Sequence, residues 1–157
     1  MCIFVFMQDN FGRIVAIDYG QKRVGIAVTD CNRLIASGLC TIAASDVFLF
    51  LKDYISKEKV SLFIVGKPKQ MNNTDSDASR YIEPFVKRLH KEFPQIPIDR
   101  EDERFTSKMA FQTLIDSGLG KKKRQNKALV DEVAATIMLQ NYLQKIEFEN
   151  QRNKKEE

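Results

Sequence analysis

The 157-residue chain has no tryptophan, one histidine and three cysteines, and each scarcity excludes a class of site. The cysteines are odd in number and form no C-x-x-C pair, which argues against a disulfide framework or a zinc site and fits a reducing cytoplasm. His90 lies among charged residues on an expected helix, so a Ser-His-Asp or Cys-His arrangement has no support. Neither G-x-x-x-x-G-K-[ST] nor G-x-G-x-x-G occurs. No apolar run approaches the roughly 18 residues of a membrane helix.

Size and charge favour one domain with a mild preference for anionic partners. The net charge is +4 and the isoelectric point is about 8.9. No linker, repeat or low-complexity segment divides the chain, so we expect a single domain over residues 12–145. Residues 1–11 are an N-terminal extension that need not be native, because Met7 is an alternative start. Residues 146–157 are highly charged, and we expect a flexible tail.

The hydrophobic periodicity predicts the element order β-β-β-α-β-α-β-α-α. Extended segments are predicted at residues 14–18, 24–29, 34–42, 60–65 and 96–98, and a tight glycine turn joins the first two. The first helical pattern follows Ser45, a good N-cap, and a later one contains Pro84, which conflicts with a helix interior. A third pattern ends at Gly118, and the last runs from about Ala128 to Lys145. We expect an α/β fold with a mixed five-stranded sheet flanked by helices on both faces.

Several carboxylates are not explained by the core pattern. They stand at three element ends: Asp18 after the first strand, Asp102 and Glu103 after the fifth, and Asp131 and Glu132 in the first turns of the last helix. Each alone is more simply a turn residue, a solvated charge or a partner of the helix dipole. If the ends converge at one sheet edge, the acids need cations between them, and oxygen ligands suit Mg²⁺ or Mn²⁺. Two such ions suit phosphodiester hydrolysis.

Basic side chains are expected beside the same edge, where they can hold phosphates. They are Arg23, Lys67 and Arg104, together with Lys121, Lys122, Lys123 and Arg124 of a basic loop. None of them implies readout of a base sequence, and no row of aromatic residues suggests a base-stacking platform. The expected partner is therefore the nucleic-acid backbone, with no membrane involved.

Four blocks resemble, in order and spacing, the signature blocks of the YqgF/RuvX family. The blocks are AIDYGQKRVGIAVTD, FIVGKPKQMNNT, DERFTS and KALVDEVAATIMLQNYL, and the resemblance spans about residues 12–143. It implies an RNase H-like fold of the RuvC type in a metal-dependent nuclease. The implied activity is maturation of the 5′ end of pre-16S rRNA or resolution of Holliday junctions.

The resemblance also implies roles for individual residues. The family's three acids, which are catalytic and bind metal, fall on Asp18, Glu103 and Asp131, and its motif arginines fall on Arg23 and Arg104. The neighbouring acids Asp102 and Glu132 remain open as alternate ligands. The second block departs from the family, since G-K-P followed by Asn-Asn replaces G-L-P followed by Asp-Gly, which puts the substrate preference in doubt but not the fold.

Three functions are open at this point. The leading one is an endonuclease acting on structured RNA, favoured over a junction resolvase because nothing in the sequence indicates the dimer that symmetric cutting needs. A nucleic-acid-binding accessory factor without catalysis is the second, although clustered carboxylates would weaken phosphate binding. A kinase of the actin-like fold is the third, and it would need a second phosphate-binding hairpin that the chain lacks. The oligomeric state is left open between a monomer and a weak dimer.

Overall fold

The computed structural model describes residues 12–67, 79–102, 112–113, 115–118, 120–121 and 126–156. Five strands and three longer helices lie in this part of the chain. In order they are β1 Arg13–Tyr19, β2 Arg23–Thr29, β3 Ala36–Ala43, α1 Val47–Lys57, β4 Val60–Lys67, α2 Ser79–Glu92, β5 Ile98–Asp102 and α3 Lys127–Glu156. No helix in these ranges is long and apolar enough to cross a membrane. The N-terminal extension and the Asn72–Asn73 turn lie outside the described residues.

The five strands form one mixed sheet in the order β3-β2-β1-β4-β5. Strand β2 is antiparallel to both β1 and β3, whereas β1, β4 and β5 are parallel to one another. Strand β1 is therefore central, and its apolar run is buried because both faces of the sheet are covered. The expected mixed five-stranded, RNase H-like sheet is confirmed.

Alternation along the strands sends side chains into two separate cores. Ile14 and Ala16 of β1 pack under α3, with Ala135, Met138 and Leu139 of that helix. The intervening residues of β1 face the opposite side, where they join a larger core. From α1 and α2 that core takes Val47, Leu51, Ile82, Phe85 and Leu89. Helices therefore cover both faces, as expected.

The fifth strand differs from the sequence prediction. It was expected at residues 96–98, but it runs from Ile98 to Asp102, and Ile96 is buried in the preceding turn. The polar residues Asp99 and Glu101 thus belong to the strand, and Asp102 is its last residue. A short edge strand tolerates polar side chains, and the Asp99 carboxylate accepts a hydrogen bond of 2.9 Å from the Tyr142 hydroxyl.

The helices also depart from their predicted ends. Ser45 does not cap α1, because a 3-10 turn at Ala44–Asp46 precedes the helix and no side-chain cap is formed. Pro84 lies inside α2 rather than in its first turn. Helix α3 continues to Glu156, through the segment expected to be a flexible tail. Gly118 has a φ of 77°, and this agrees with the predicted glycine end of the third helical pattern.

Candidate active site

A cleft of about 310 Å³ opens at the end of the sheet where β1 turns into β2. Its lining residues are Asp18, Tyr19, Gly20, Gln21, Lys22, Arg23, Tyr81 and Asp131. A larger groove of about 600 Å³ lies between Leu34 and the C-terminal half of α3, and it contains none of the predicted acids. The smaller cleft therefore holds the candidate chemistry.

Asp18 reaches the cleft through the register of the central strand. It alternates with Ile14 and Ala16, so its side chain is on the α3 face of the sheet. Its partner across the antiparallel ladder is Gly25 of β2. A Cβ atom at Gly25 would overlap the carbonyl group of Asp131, so α3 rests directly on the β2 backbone at this point. That close approach brings Asp131 to the same cleft as Asp18.

Asp131 already has a cationic partner in the cleft. The Arg23 Nε lies 3.1 Å from Asp131 Oδ2, and the two side chains are 39% and 28% exposed. A partly solvated ion pair of this kind contributes only about 0–1 kcal/mol to stability. The pair can therefore open at little cost when another cation or a phosphate competes for either side chain.

The neighbouring acid Glu132 faces a different part of the sheet. Its Oε1 lies 2.6 Å from the position that a Cβ atom at Gly38 of β3 would take. Burial, together with the negative charge of Glu132, raises the pKa of the Cys40 thiol on the same strand. Glu132 is absent from the cleft lining, whereas Asp131 is part of it. The structure thus separates two acids that the sequence leaves as alternatives.

The structure describes only some of the remaining predicted site residues. Lys67 is exposed at the end of β4, in register with Asp102 of β5, and Lys121 is exposed beyond Gly118. Glu103, Arg104, Lys122, Lys123 and Arg124 lie outside the described residues. Within the described ranges, no group of three or more histidine, cysteine, aspartate or glutamate side chains is placed to hold a metal ion.

The donor chemistry of the cleft nevertheless fits a hard divalent cation. Asp18 and Asp131 offer only carboxylate oxygens, and the described cleft lining contains neither histidine nor cysteine. These two acids could hold Mg²⁺ or Mn²⁺ together with a third ligand from the part of the chain that is not described.

Two residues that the sequence analysis passed over support the end of the sheet. Arg100 donates hydrogen bonds to the carbonyl groups of Val65 and Gly66, at 3.2 and 3.1 Å, and to Glu83 at 2.9 Å. It ties the end of β4 to α2. Glu101, in register with Gly66, is only 17% exposed, and one of its oxygens lies 3.9 Å from Lys145 Nζ. Strand alternation would have indicated both positions had β5 been predicted to its full length.

The sequence analysis also missed several residues that line the cleft. Lys22 and Gln21 occupy the turn between Asp18 and Arg23, where their position next to the predicted acid was an available signal. Tyr81 comes from the first turn of α2, far along the chain, and no local pattern connects it with Asp18. Tyr19 and Tyr81 form the aromatic side of the cleft.

The sheet and its acid-lined end define an α/β protein of the RNase H-like class. The model of the RuvX family, described as Holliday junction resolvase, matches residues 12–145. The chain belongs to this family.

Several named relatives align with most of the chain. A protein of Flavobacterium psychrophilum provisionally named pre-16S rRNA nuclease is 63% identical over 83% of this chain and 96% of its own length. Proteins with the same provisional name from Flavobacterium johnsoniae and Bacteroides thetaiotaomicron are 57% and 54% identical, each over 87% of this chain and 99% of its own length. Among solved structures, T. thermophilus RuvC in complex with Holliday junction substrate is similar over 81% of this chain and 91% of its own, with 13% identity and a TM-score of 0.49.

Proposed function

We propose that this chain is a divalent-metal-dependent endonuclease that cuts structured RNA, and that its substrate is the 5′ end of pre-16S rRNA. The observation that carries the proposal is that Asp18 and Asp131 line one cleft together with Lys22 and Arg23. A cleft of this kind pairs metal-binding acids with phosphate-binding cations. The provisional name shared by relatives at 54–63% identity supports the choice of RNA. The reaction would take place in the cytoplasm.

In this proposal Asp18, Glu103 and Asp131 hold Mg²⁺ or Mn²⁺. Two such ions, when bound, supply charge stabilisation for the attacking and leaving oxygens of an in-line displacement. Lys22 and Arg23 bind the phosphate at the cleft, and the solvated pair between Arg23 and Asp131 opens when the substrate arrives.

The other predicted cations act further along the nucleic-acid backbone. They are Lys67, Arg104, Lys121, Lys122, Lys123 and Arg124. Their contribution is electrostatic and independent of base sequence, so it falls as the salt concentration rises.

Resolution of Holliday junctions is a second candidate, favoured by the description of the matching family. It requires a symmetric dimer, because two strands must be cut across a two-fold axis. The same cleft would serve both substrates, so only a direct comparison of substrates separates the two activities.

The test compares cleavage of a labelled pre-16S 5′ leader with cleavage of a four-way DNA junction, each in Mg²⁺ and in Mn²⁺. The variants are Asp18→Asn and, as a matched control, Asp53→Asn. Asp53 is exposed on α1 and pairs with Lys57, one turn away, at 3.1 Å. Asn keeps the shape of Asp but removes the charge. We expect Asp18→Asn to lower cleavage about 100-fold or more and Asp53→Asn to leave it unchanged.

Calorimetric titration with Mn²⁺ adds a readout that does not depend on turnover. We expect Asp18→Asn to weaken Mn²⁺ binding while its thermal unfolding stays close to that of the wild type. If the wild type cuts neither substrate, or Asp18→Asn cuts as well as Asp53→Asn, the chain is a nucleic-acid-binding factor without this catalysis. If only the junction is cut, the resolvase candidate replaces the RNA substrate.

A further inference from the structure

The aromatic side of the cleft is not needed for phosphodiester chemistry. Metal binding uses Asp18 and Asp131, and phosphate binding uses Lys22 and Arg23, yet Tyr19 and Tyr81 line the same cavity. Neither tyrosine hydroxyl is required by the reaction proposed above. The two rings therefore call for an explanation of their own.

Tyr19 is held rigidly by the core. Its ring stacks on Phe85 at a centroid distance of 4.1 Å and an interplanar angle of 14°, and Phe85 in turn contacts Phe48 at 5.5 Å. Phe85 is 4% exposed, so the Tyr19 ring rests on a buried side chain. Packing at the edge of the hydrophobic core is therefore enough to explain the position of Tyr19.

Tyr81 also packs against this core, but it is only partly buried and lines the cleft. Its ring lies 6.3 Å from the ring of Tyr19, at a tilt of 47°. It stands in the first turn of α2, where it extends the row Phe48, Phe85, Tyr19 outward to the cleft. The row thus leads from the core to a partly exposed ring beside the acids.

We propose that Tyr81, supported by Tyr19, forms a subsite for a nucleobase next to the scissile phosphate; this rests on the proposed nuclease function. Asp18 and Tyr19 are consecutive, so their Cα atoms are about 3.8 Å apart, and their side chains leave the strand on opposite faces. Both reach the cleft because it lies across the end of the sheet. A phosphate bound on the acidic side therefore places the attached nucleoside towards the aromatic side.

This arrangement determines whether a paired or an unpaired base can bind. A base inside a duplex is stacked on both faces, whereas a base that stacks on a tyrosine ring must expose one. The subsite therefore takes an unpaired or extruded nucleotide and tolerates any base, since every base has a π-face. At the cleavage position the protein therefore recognises a single-stranded nucleotide of the substrate. The basic residues bind the structured part of the same nucleic acid.

The test measures binding of a short single-stranded RNA carrying the leader sequence, in Ca²⁺. Tyr81→Leu removes the ring, and Tyr81→Phe keeps it. An abasic site is then moved one nucleotide at a time through the sequence around the cut. We expect Tyr81→Leu to weaken binding about 10-fold and Tyr81→Phe less than about 2-fold. At one position the abasic RNA should bind the wild type about 10-fold more weakly, and Tyr81→Leu should lose nothing further there.

A fluorescent base analogue, 2-aminopurine, at that same position gives a direct signature of stacking. Its emission should be quenched by the wild type and by Tyr81→Phe, but not by Tyr81→Leu. If Tyr81→Leu weakens normal and abasic RNA equally at every position, or if Tyr81→Phe loses as much as Tyr81→Leu, the subsite is wrong.

The outcomes also separate this inference from the proposed function. Normal cleavage by the wild type with no position sensitive to an abasic site overturns the subsite alone. Failure of the wild type to bind or cut the leader overturns both. If Tyr81→Leu does not fold, the abasic scan on the wild type and on Tyr81→Phe still tests whether the subsite exists.

Discussion

Asp131 and Glu132 are adjacent in the chain, yet their carboxylates lie in different surroundings. Asp131 lines the cleft and contacts Arg23 at 3.1 Å. Glu132 lies over β3 beside Gly38, and the backbone carbonyl of Glu132 accepts a hydrogen bond of 2.9 Å from Thr136 Oγ1. The two acids therefore make a matched pair in which only one belongs to the candidate site.

We predict that Asp131→Asn and Glu132→Gln differ sharply in activity. Asp131→Asn should lower kcat/KM on the substrate that the wild type cuts by about 100-fold or more, because it removes a negative charge that the proposed metal site needs. Glu132→Gln should stay within about 3-fold of the wild type. Equal losses in the two variants, or a larger loss in Glu132→Gln, would contradict this placement of α3.

At the scale of elements, the contact of α3 with the sheet depends on glycines in β2 and β3. A Cβ atom at Gly25 would meet the backbone of Asp131, which cannot move without the helix. A Cβ atom at Gly38 would instead meet the Glu132 side chain, 2.6 Å from Oε1 and 2.9 Å from Cγ. A side chain can adjust at less cost than a helix backbone, so the two positions differ in tolerance.

Substitutions by alanine should follow that order. We expect Gly25→Ala to lower the free energy of unfolding by about 1–3 kcal/mol and to reduce cleavage, because α3 must shift Asp131 away from Asp18. Gly38→Ala should cost less than Gly25→Ala. Gly120→Ala is the control, since no atom of the described residues lies within 4 Å of the added Cβ. Urea denaturation and cleavage rates check the series, and a Gly25→Ala protein as stable and active as Gly120→Ala would refute the close approach.

At the scale of the whole molecule, α3 crosses the sheet from β2 and β3 to β5. Its N-terminal part rests on Gly25 and Gly38, and further along the helix the Tyr142 hydroxyl donates a hydrogen bond of 2.9 Å to Asp99 Oδ2. Burial, followed by the bond to Asp99, raises the pKa of Tyr142 to about 12. The folded protein therefore holds this proton more tightly than the unfolded chain does.

The stability of the molecule should depend on pH accordingly. Since the folded pKa lies above the ordinary value of about 10, the contribution of Tyr142 is complete below pH 10 and is lost as the pH rises towards about 12. We expect Tyr142→Phe to lower the free energy of unfolding by about 1 kcal/mol at pH 7. The difference in the free energy of unfolding between the wild type and Tyr142→Phe, measured by urea denaturation, should disappear between pH 10 and 12. A gap that stays constant from pH 8 to pH 11 would show that the proton is not held in this way.

Much of the architecture follows from local patterns. The two strands of the first hairpin and the buried β4 were predicted to within about two residues at each end, because apolar alternation and a tight turn are properties of neighbouring residues. Asp18 was selected as a candidate for the same reason, as an acid at the end of an apolar strand. Strand β5 and the end of α3 were less well predicted, because their polar residues carry no hydrophobic period.

The sequence by itself determined the order of the five strands, the family and the selection of Asp18 as a candidate, since each rests on residues close together in the chain. Only the tertiary structure decided that Asp131, rather than Glu132, lines the cleft with Asp18. Neighbours on a helix point about 100° apart, so the rotation of α3 against the sheet selects between them, and glycines in two strands leave room for that close packing. Tyr81 likewise meets Tyr19 only because α2 packs against β1 through Phe85, a contact that no local pattern in the chain encodes.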